Sequence, residues 1–168
     1  MTESSPLRVP VTDLLRRVGA HRSVQLHGPA GTLGAGAATV AEGAPIEVDV
    51  VLERIPEGIV VRGTIEAPWT AECSRCLKPA QGTIRVAVDE LFEAEPVPGE
   101  TYQLEPEAID LEPLVRDAVV LELPTAPLCR DDCAGLCPSC GADHNEVDCD
   151  CTFDDIDPRW AALRSLER

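Results

Sequence analysis

The chain has 168 residues, a net charge of −16, 44% hydrophobic residues and only 3% aromatic residues. This length predicts one domain with at most a small appended module, and its core must be built from aliphatic side chains. Such an acidic chain is poorly suited to non-specific binding of nucleic acid, which depends on neutralising phosphates, and it favours a basic partner or a local positive patch.

The sequence predicts a cytoplasmic protein. It has no apolar run of about 18 residues that could form a transmembrane helix. Its first residues lack the apolar segment that is typical of a secretory signal. We therefore expect no membrane partner, and in a reducing compartment the eight cysteines favour metal binding over disulfides.

The first half of the chain predicts a short helix followed by β-strands. The helix is expected over residues 11–18, with Thr12 as its N-cap and Gly19 at its end. Its apolar stripe consists of Val11, Leu14, Leu15 and Val18. Between residues 23 and 92 the apolar period becomes two, which predicts an antiparallel sheet. Its strands are expected at residues 24–27, 46–52, 59–67 and 83–92, with turns at 28–31 and 56–58 and an ambiguous stretch at 32–44.

The second half predicts a loop and two helices. Residues 93–108 are acidic and rich in Pro and Gly, and we expect an exposed loop there. A helix over residues 111–122, capped by Asp110, should cover one face of the sheet. Asp157 and Pro158 predict the start of a closing helix. The apolar stripe of that helix consists of Trp160, Leu163 and Leu166.

The predicted fold class is α+β. Residues 1–124 should form a mainly antiparallel β-sheet domain with a short N-terminal helix and the covering helix near residues 111–122. Residues 125–168 should form a Cys-rich, zinc-binding segment with the closing helix, packed on the first domain.

Six of the eight cysteines lie within residues 129–151, a polar stretch that cannot bury much apolar surface. A metal is the best candidate to hold this stretch together, because Zn²⁺ bound by four thiolates supplies folding energy directly. The most specific signal is the Cys-Pro-Ser-Cys-Gly of residues 137–141, which is typical of a zinc knuckle. We predict one or two structural Zn²⁺ ions.

The spacing of the cysteines suggests how they divide into two sites. Cys73 and Cys76 lie between two predicted strands and form a half-site at a hairpin tip. Cys129 and Cys133 face the same way if that turn is helical, and they could complete it. One predicted site therefore uses Cys73, Cys76, Cys129 and Cys133, and the other uses Cys137, Cys140, Cys149 and Cys151.

Three other interpretations stay open at this point. One or two cysteines could be free core residues. Cys73 and Cys76 could form a redox-active dithiol, although their position between strands does not favour this. His144 could be a ligand or a catalytic group, but its polar neighbours favour an exposed loop histidine. Two closed sets of four thiolates leave no open metal position, and no hydrolase or phosphate-binding motif is present, so no enzymatic activity is predicted.

One stretch of the acidic half is basic. Between residues 73 and 88 there is no acidic residue, whereas Arg75, Lys78 and Arg85 carry positive charge. These three residues, here called the basic knob, are candidates for contact with RNA or with an acidic partner. The alternative is ordinary surface charge beside anionic thiolates.

Taken in chain order, these motifs resemble the YceD family of large ribosomal RNA subunit accumulation proteins. The segments that carry the resemblance are residues 72–79 (Glu-Cys-Ser-Arg-Cys-Leu-Lys-Pro), 109–117, 121–129, 135–141 (Gly-Leu-Cys-Pro-Ser-Cys-Gly) and 157–163. The resemblance implies a bacterial cytoplasmic protein that large-subunit ribosomal RNA needs in order to accumulate, with no established enzymatic activity. Family members differ in their tail cysteines, which leaves the metal count open.

The expected partners follow from the resemblance and the charge together. A non-catalytic assembly factor would bind large-subunit ribosomal RNA, a basic ribosomal protein, or both. The alternative is a zinc-stabilised protein-binding adaptor that makes no direct contact with RNA. A third hypothesis is a thiol redox or zinc-storage protein.

Overall fold

The computed structural model describes residues 5–29, 31–151 and Arg159. Its strands are β1 (Arg8–Pro10), β2 (His21–Pro29), β3 (Leu33–Ala35), β4 (Ala38–Val40), β5 (Pro45–Arg54), β6 (Gly58–Glu72), β7 (Pro79–Glu93), β8 (Tyr102–Gln103) and β9 (Ala108–Asp110). Its helices are a 3₁₀ turn (Leu14–Arg16) and α1 (Glu112–Glu122). The predicted closing helix, with Trp160, Leu163 and Leu166, lies outside the described residues. No helix within the described ranges is long and apolar enough to cross a membrane.

Seven strands form the main sheet, with β6 near its centre. One edge of β6 pairs with β5 and then with β4, and its other edge pairs with β7 from Gly58 opposite Glu93 to Glu72 opposite Pro79. Strand β2 lies beyond β5, and β3 lies beyond β4. The sheet is antiparallel as predicted, except for a short parallel pairing of β7 with β8. Strands β1 and β9 form a second, two-stranded sheet.

The main sheet has one buried face, and β5 illustrates it. The side chains of Ile46, Val48, Val50 and Leu52 are at most 2% exposed. Glu47 and Asp49 between them face solvent. Burial of each large aliphatic side chain stabilises the fold by roughly 1.5–3 kcal/mol before the cost of chain entropy. The alternation of the sequence therefore predicted both the strand and its buried face correctly.

Helix α1 covers this buried face, as the sequence predicts. Its residues Leu114, Val115 and Val119 are buried, and the helix packs on β3, β6 and β7. Leu111 occupies the N-cap position, but the carboxylate of Asp110 accepts a hydrogen bond of 3.0 Å from the backbone N–H of Glu112. Asp110 thus satisfies one of the free N–H groups of the first turn.

The longest hairpin, β6–β7, carries the first cysteine pair at its tip, and one glycine near the tip is required by packing. Gly82 lies opposite Trp69 in the register. A Cβ at Gly82 would lie 2.9 Å from the Trp69 ring, so any side chain there would force the indole to move. The indole in turn packs against the small buried cluster of Cys73, Cys76, Ala80 and Cys133.

The predicted helix over residues 11–18 is only a 3₁₀ turn, with Asp13 rather than Thr12 at its N-cap position. The backbone N–H of Val11 donates to Glu107 O at 2.9 Å, so the start of the segment is hydrogen-bonded to the residue before β9. The remaining residues are too few for their hydrogen bonds to offset the free energy of nucleating an α-helix. Val11 and Leu14 are buried, whereas Val18, predicted on the same stripe, is 57% exposed.

Two predicted irregular stretches contain regular structure. Gly28 and Pro29, predicted as a turn, are the last residues of β2. The predicted loop over residues 93–108 contains β8, and its last residue, Ala108, begins β9 and is buried. Short pairings of this kind are fixed by partners distant in sequence, which local composition does not reveal.

Candidate metal centres

A tight turn at the tip of the β6–β7 hairpin places Cys73 and Cys76 on the same side. The backbone N–H of Cys73 donates to Lys78 O at 2.8 Å, and that of Leu77 donates to Cys73 O at 3.0 Å. Leu77 adopts a left-handed conformation with φ of 61°. The backbone N–H of Arg75 lies 3.5 Å from Cys73 Sγ, which is the arrangement in which a knuckle turn stabilises a thiolate.

The chain returns to this tip after α1 and supplies two more sulfurs. The backbone N–H of Ser74 donates to Pro127 O at 2.8 Å, which ties the returning chain to the turn. Cys133 Sγ then lies 3.7 Å from Cys73 Sγ, and Cys129 Sγ lies 3.5 Å from Cys76 Sγ. All four sulfurs lie within 4.8 Å of one another. We call Cys73, Cys76, Cys129 and Cys133 the first cluster.

A second knuckle follows at once along the chain. The backbone N–H of Cys140 lies 3.5 Å from Cys137 Sγ, and the N–H of Gly141 donates to Cys137 O at 2.8 Å. Gly141 has a positive φ of 75°, which the turn requires. The sulfurs of Cys149 and Cys151 complete a group within 4.8 Å. We call Cys137, Cys140, Cys149 and Cys151 the second cluster.

The structure therefore groups the cysteines in the two sets that the spacing suggests, and each set fits Zn²⁺. A tetrahedral ion with Zn–S bonds of about 2.3 Å places its sulfurs about 3.8 Å apart. The 3.7 and 3.5 Å separations of the first cluster are close to this value. They are also much longer than the ~2.05 Å of a disulfide bond. Ligation of a metal by these eight residues stays a prediction.

The electrostatics of each cluster favour a bound cation. The backbone N–H of Cys76 lowers the pKa of Cys73 to about 6, and that of Cys140 lowers the pKa of Cys137 to about 6. In contrast, the neighbouring Cys76 sulfur raises the pKa of Cys129 to about 12, and the Cys140 sulfur raises that of Cys151 to about 12. One thiolate in each cluster forms easily, whereas full ionisation of four needs a positive ion among them.

The loop between the two halves of the second cluster, residues 141–148, docks against the first cluster. Asn145 Nδ2 donates to Cys133 Sγ at 3.5 Å, while Asn145 Oδ1 accepts from the backbone N–H of Ala134 at 2.9 Å. The backbone N–H of His144 donates to Gly135 O at 2.9 Å. A sulfur of one cluster thus accepts a hydrogen bond from a side chain on the loop of the other, which is the arrangement of outer-shell groups in metal sites.

Sequence reasoning missed this docking. Asn145 belongs to no motif, and Asp143 and Glu146 read as ordinary loop acids. The one available signal was the position of Lys78, the only lysine of the chain, directly after the first knuckle. Its Nζ lies 2.6 Å from Asp143 Oδ2 and also pairs with Glu146.

The members of the basic knob each have a partner within the chain. Lys78 pairs with the two loop acids, and Arg75 Nη1 donates to Cys133 O at 2.8 Å. Arg85 lies farther along β7, with its Nε 3.3 Å from Glu66 Oε1. Contact of these residues with RNA stays a prediction. His144, the other candidate, is not part of either cysteine group in the described ranges.

A protein-family model matches more than half of the chain. The family described as "Large ribosomal RNA subunit accumulation protein YceD" matches residues 61–167. This range begins within β6 and includes all eight cysteines and helix α1. The description names the accumulation of an RNA and names no reaction.

Curated relatives extend the similarity over nearly the whole chain. An uncharacterised protein of Mycobacterium tuberculosis (strain H37Rv) is 39% identical over 175 residues, covering 95% of this chain and 81% of the relative. An uncharacterised protein of Mycobacterium leprae is 38% identical, with coverage of 96% and 78%. "Large ribosomal RNA subunit accumulation protein YCED homolog 1, chloroplastic" of Arabidopsis thaliana is 25% identical over 74% of this chain and 49% of its own length. No solved structure matches the chain.

Proposed function

The chain belongs to the YceD family, and from this premise we propose that it is a non-catalytic, cytoplasmic factor in biogenesis of the large ribosomal subunit. Membership implies a role in the accumulation of large-subunit ribosomal RNA. In this proposal the protein acts by binding that RNA, a basic ribosomal protein, or both. The observation that carries it is the family match over residues 61–167, a range that holds both cysteine clusters.

Two structural Zn²⁺ ions complete the proposal, one in each cluster. The donor sets contain four thiols each, and such closed sets leave no position for a reacting water. Bound Zn²⁺ would supply a positive charge that four thiolates share, and it would fix the hairpin tip to the returning chain. Each loaded site keeps a charge of about −2, so zinc does not make the surface basic.

The charge distribution supports the protein partner more than bare RNA. The chain carries −16, and the loop acids Asp143 and Glu146 already engage Lys78 of the basic knob. A lysine that is ion-paired inside the chain must break that pair to neutralise a phosphate. A basic protein meets an attractive field without any such exchange. The alternative of an adaptor that never touches RNA rests on the same observation.

The family role is tested in cells. Deletion of the gene should lower large-subunit ribosomal RNA relative to small-subunit RNA, and expression of the intact chain should restore the ratio. If the deletion left the ratio of large-subunit to small-subunit ribosomal RNA unchanged, the proposal would be wrong. A variant with Cys73 and Cys76 both replaced by Ser should fail to restore the ratio if the clusters are needed for the function.

The identity of the partner requires a second experiment. Crosslinking in cells, followed by sequencing of bound RNA and mass spectrometry of bound protein, shows whether the partner is RNA, a protein or both. Direct RNA contact predicts steeply salt-dependent binding that Arg75→Ala with Lys78→Ala weakens. The control is Arg16→Ala with Arg17→Ala, which removes the same charge from exposed residues of another segment. Equal loss in the two pairs would argue against contact through the basic knob, and a basic protein that is retained after nuclease treatment would favour the adaptor.

A further inference from the structure

A groove runs along helix α1, on the side of the molecule formed by the sheet and the turn before β8. Its larger part has a volume of about 520 Å³ and lies between the helix and residues 99–102. A smaller part of about 180 Å³ continues along β7. Glu90, Tyr102, Asp117 and Leu121 line both parts, so the two form one continuous depression.

The lining of the groove includes an apolar side chain that is largely exposed to solvent. Leu121 is 86% exposed, the largest value among the exposed large hydrophobic residues of the described chain. Asp117 and Ala118 lie four and three positions before it, so the three residues form one strip of the helix surface. A single exposed leucine is ordinary on a protein surface, but an apolar side chain of a partner that covered this one would gain free energy from the contact.

The groove is lined mostly by apolar residues, and the charged residues among its lining are mainly acids. The lining includes Glu90, Glu100, Asp117 and Glu122. Arg116 is the one basic residue of this lining, and its Nη2 lies 3.0 Å from Glu112 Oε1, one turn away on the same helix. Such a lining repels a phosphate backbone and attracts Lys and Arg side chains. Tyr102 adds a polar group at the bottom, where its hydroxyl donates to Asp117 Oδ2 at 3.1 Å.

We propose that this groove binds a short basic segment of a partner protein. An apolar side chain of the segment covers Leu121, and flanking Lys or Arg side chains pair with Glu90, Glu100 and Asp117. The inference rests on the proposed function, since it takes a basic protein as the partner and assigns its binding to a surface that shares no residue with the cysteine clusters. RNA is excluded from this surface by the sign of its charge.

The first test uses a labelled peptide of alternating arginine and leucine, with fluorescence anisotropy on the zinc-loaded full chain. Leu121→Ser should weaken binding about tenfold, the effect of losing most of one buried leucine. Asp117→Asn with Glu90→Gln should weaken it by a similar factor and flatten the salt dependence. The matched controls are Val18→Ser, at an exposed valine, and Glu42→Gln with Glu57→Gln, at exposed acids elsewhere. They should bind within about twofold of the parent protein.

Each other result overturns the inference. Equal weakening in the control and groove variants would mean that the peptide senses only the overall charge. Unchanged binding in Leu121→Ser would mean that the groove does not hold the apolar side chain. Stronger binding of polyuridine RNA than of the peptide, sensitive to the groove variants, would mean that this surface is an RNA site. Thermal unfolding of every variant distinguishes lost binding from lost folding.

The second test separates this inference from the proposed function. In the deletion strain, the intact chain should restore the ribosomal RNA ratio and Leu121→Ser should not, while Val18→Ser should. If the intact chain and Leu121→Ser restore it equally, the groove inference fails and the proposed function stands. If the deletion has no effect, the proposed function fails, and peptide binding in vitro still decides the groove.

Discussion

The sheet domain and the cysteine segment of residues 125–151 are stabilised by different interactions. The sheet buries a continuous hydrophobic cluster that includes Ile46, Leu52 and Phe92. In the described part of the cysteine segment, the buried residues are Pro127, Cys133, Gly135 and Cys137. The first region can fold by excluding water from hydrocarbon, whereas the second has almost no hydrocarbon to bury and depends on its sulfur atoms. The comparison indicates that one chain can combine a large region stabilised by its hydrophobic core with a small region that, in the zinc proposal, is stabilised by bound metal.

Removal of metal should break the comparison most strongly. A structural Zn²⁺ site contributes on the order of 10 kcal/mol at neutral pH. A strong chelator should therefore release the cysteine segment while β5 and β6 keep their structure. Hydrogen exchange read by mass spectrometry should show loss of protection in residues 129–151 and little change in residues 46–65. Residues 129–151 could instead be equally protected with and without chelator, in protein shown to contain no metal. That result would contradict the zinc proposal and the difference in stabilisation between the sheet and the cysteine segment.

A smaller effect is expected inside the sheet domain, at Gly82. Substitution by Ala puts a methyl group 2.9 Å from the Trp69 ring, so the indole must move. Overpacking of this kind costs about 1–3 kcal/mol. Urea unfolding should show this loss for Gly82→Ala. Gly31→Ala is the control, because a Cβ at that position meets no atom within 4 Å. The strain should also reach the first cluster, since Trp69 packs against the buried group that contains three of its cysteines.

Asn145 sharpens the comparison by testing whether the two clusters are independent. Removal of its side chain takes a hydrogen-bond donor from Cys133 Sγ, a ligand candidate of the first cluster, although Asn145 lies on the loop of the second. Loss of an outer-shell hydrogen bond lowers metal affinity about 10- to 100-fold. Competition with a chromogenic zinc chelator should show this loss in Asn145→Ala. If Val147→Ala, at an exposed residue of the same loop, gave the same loss, the loop as a whole rather than the amide would be responsible.

The same contrast explains which features could be predicted from the sequence. In β5, the alternation of Ile46, Val48 and Val50 with acids records burial on one face, so periodicity predicts the strand. Short spacings such as Cys137 to Cys140 are typical of a knuckle turn. They indicated a division of the cysteines into two sets that agrees with the grouping in the structure. The docking of Asn145 on Cys133 and the groove beside Leu121 depend on side chains brought together from distant segments. No local pattern encodes such contacts, so only the folded structure reveals them.

The smallest expected effect is a pH dependence that belongs to the sheet domain alone. Burial, together with the nearby Asp117 carboxylate, raises the pKa of Tyr102 to about 12. Because the folded pKa lies above the ordinary value of 10, this tyrosine contributes stability that is fully present below pH 10. That contribution is lost as the pH rises through about 12, where the folded protein must form a phenolate.

Tyr102 is the only tyrosine of the chain, so its ionisation can be followed directly by ultraviolet absorbance. The phenolate signal of the folded protein should appear near pH 12, and Asp117→Asn should move it towards pH 10 because the carboxylate charge is gone. Asp89→Asn is a suitable control, since Asp89 pairs with Arg62 on the exposed face of the sheet. A phenolate transition at the ordinary value in the parent protein would show that Tyr102 is not held beside Asp117. In that case the lining of the groove at Tyr102 and Asp117 differs from the one described. The cysteine clusters share no residue with the groove, so this result would not affect them.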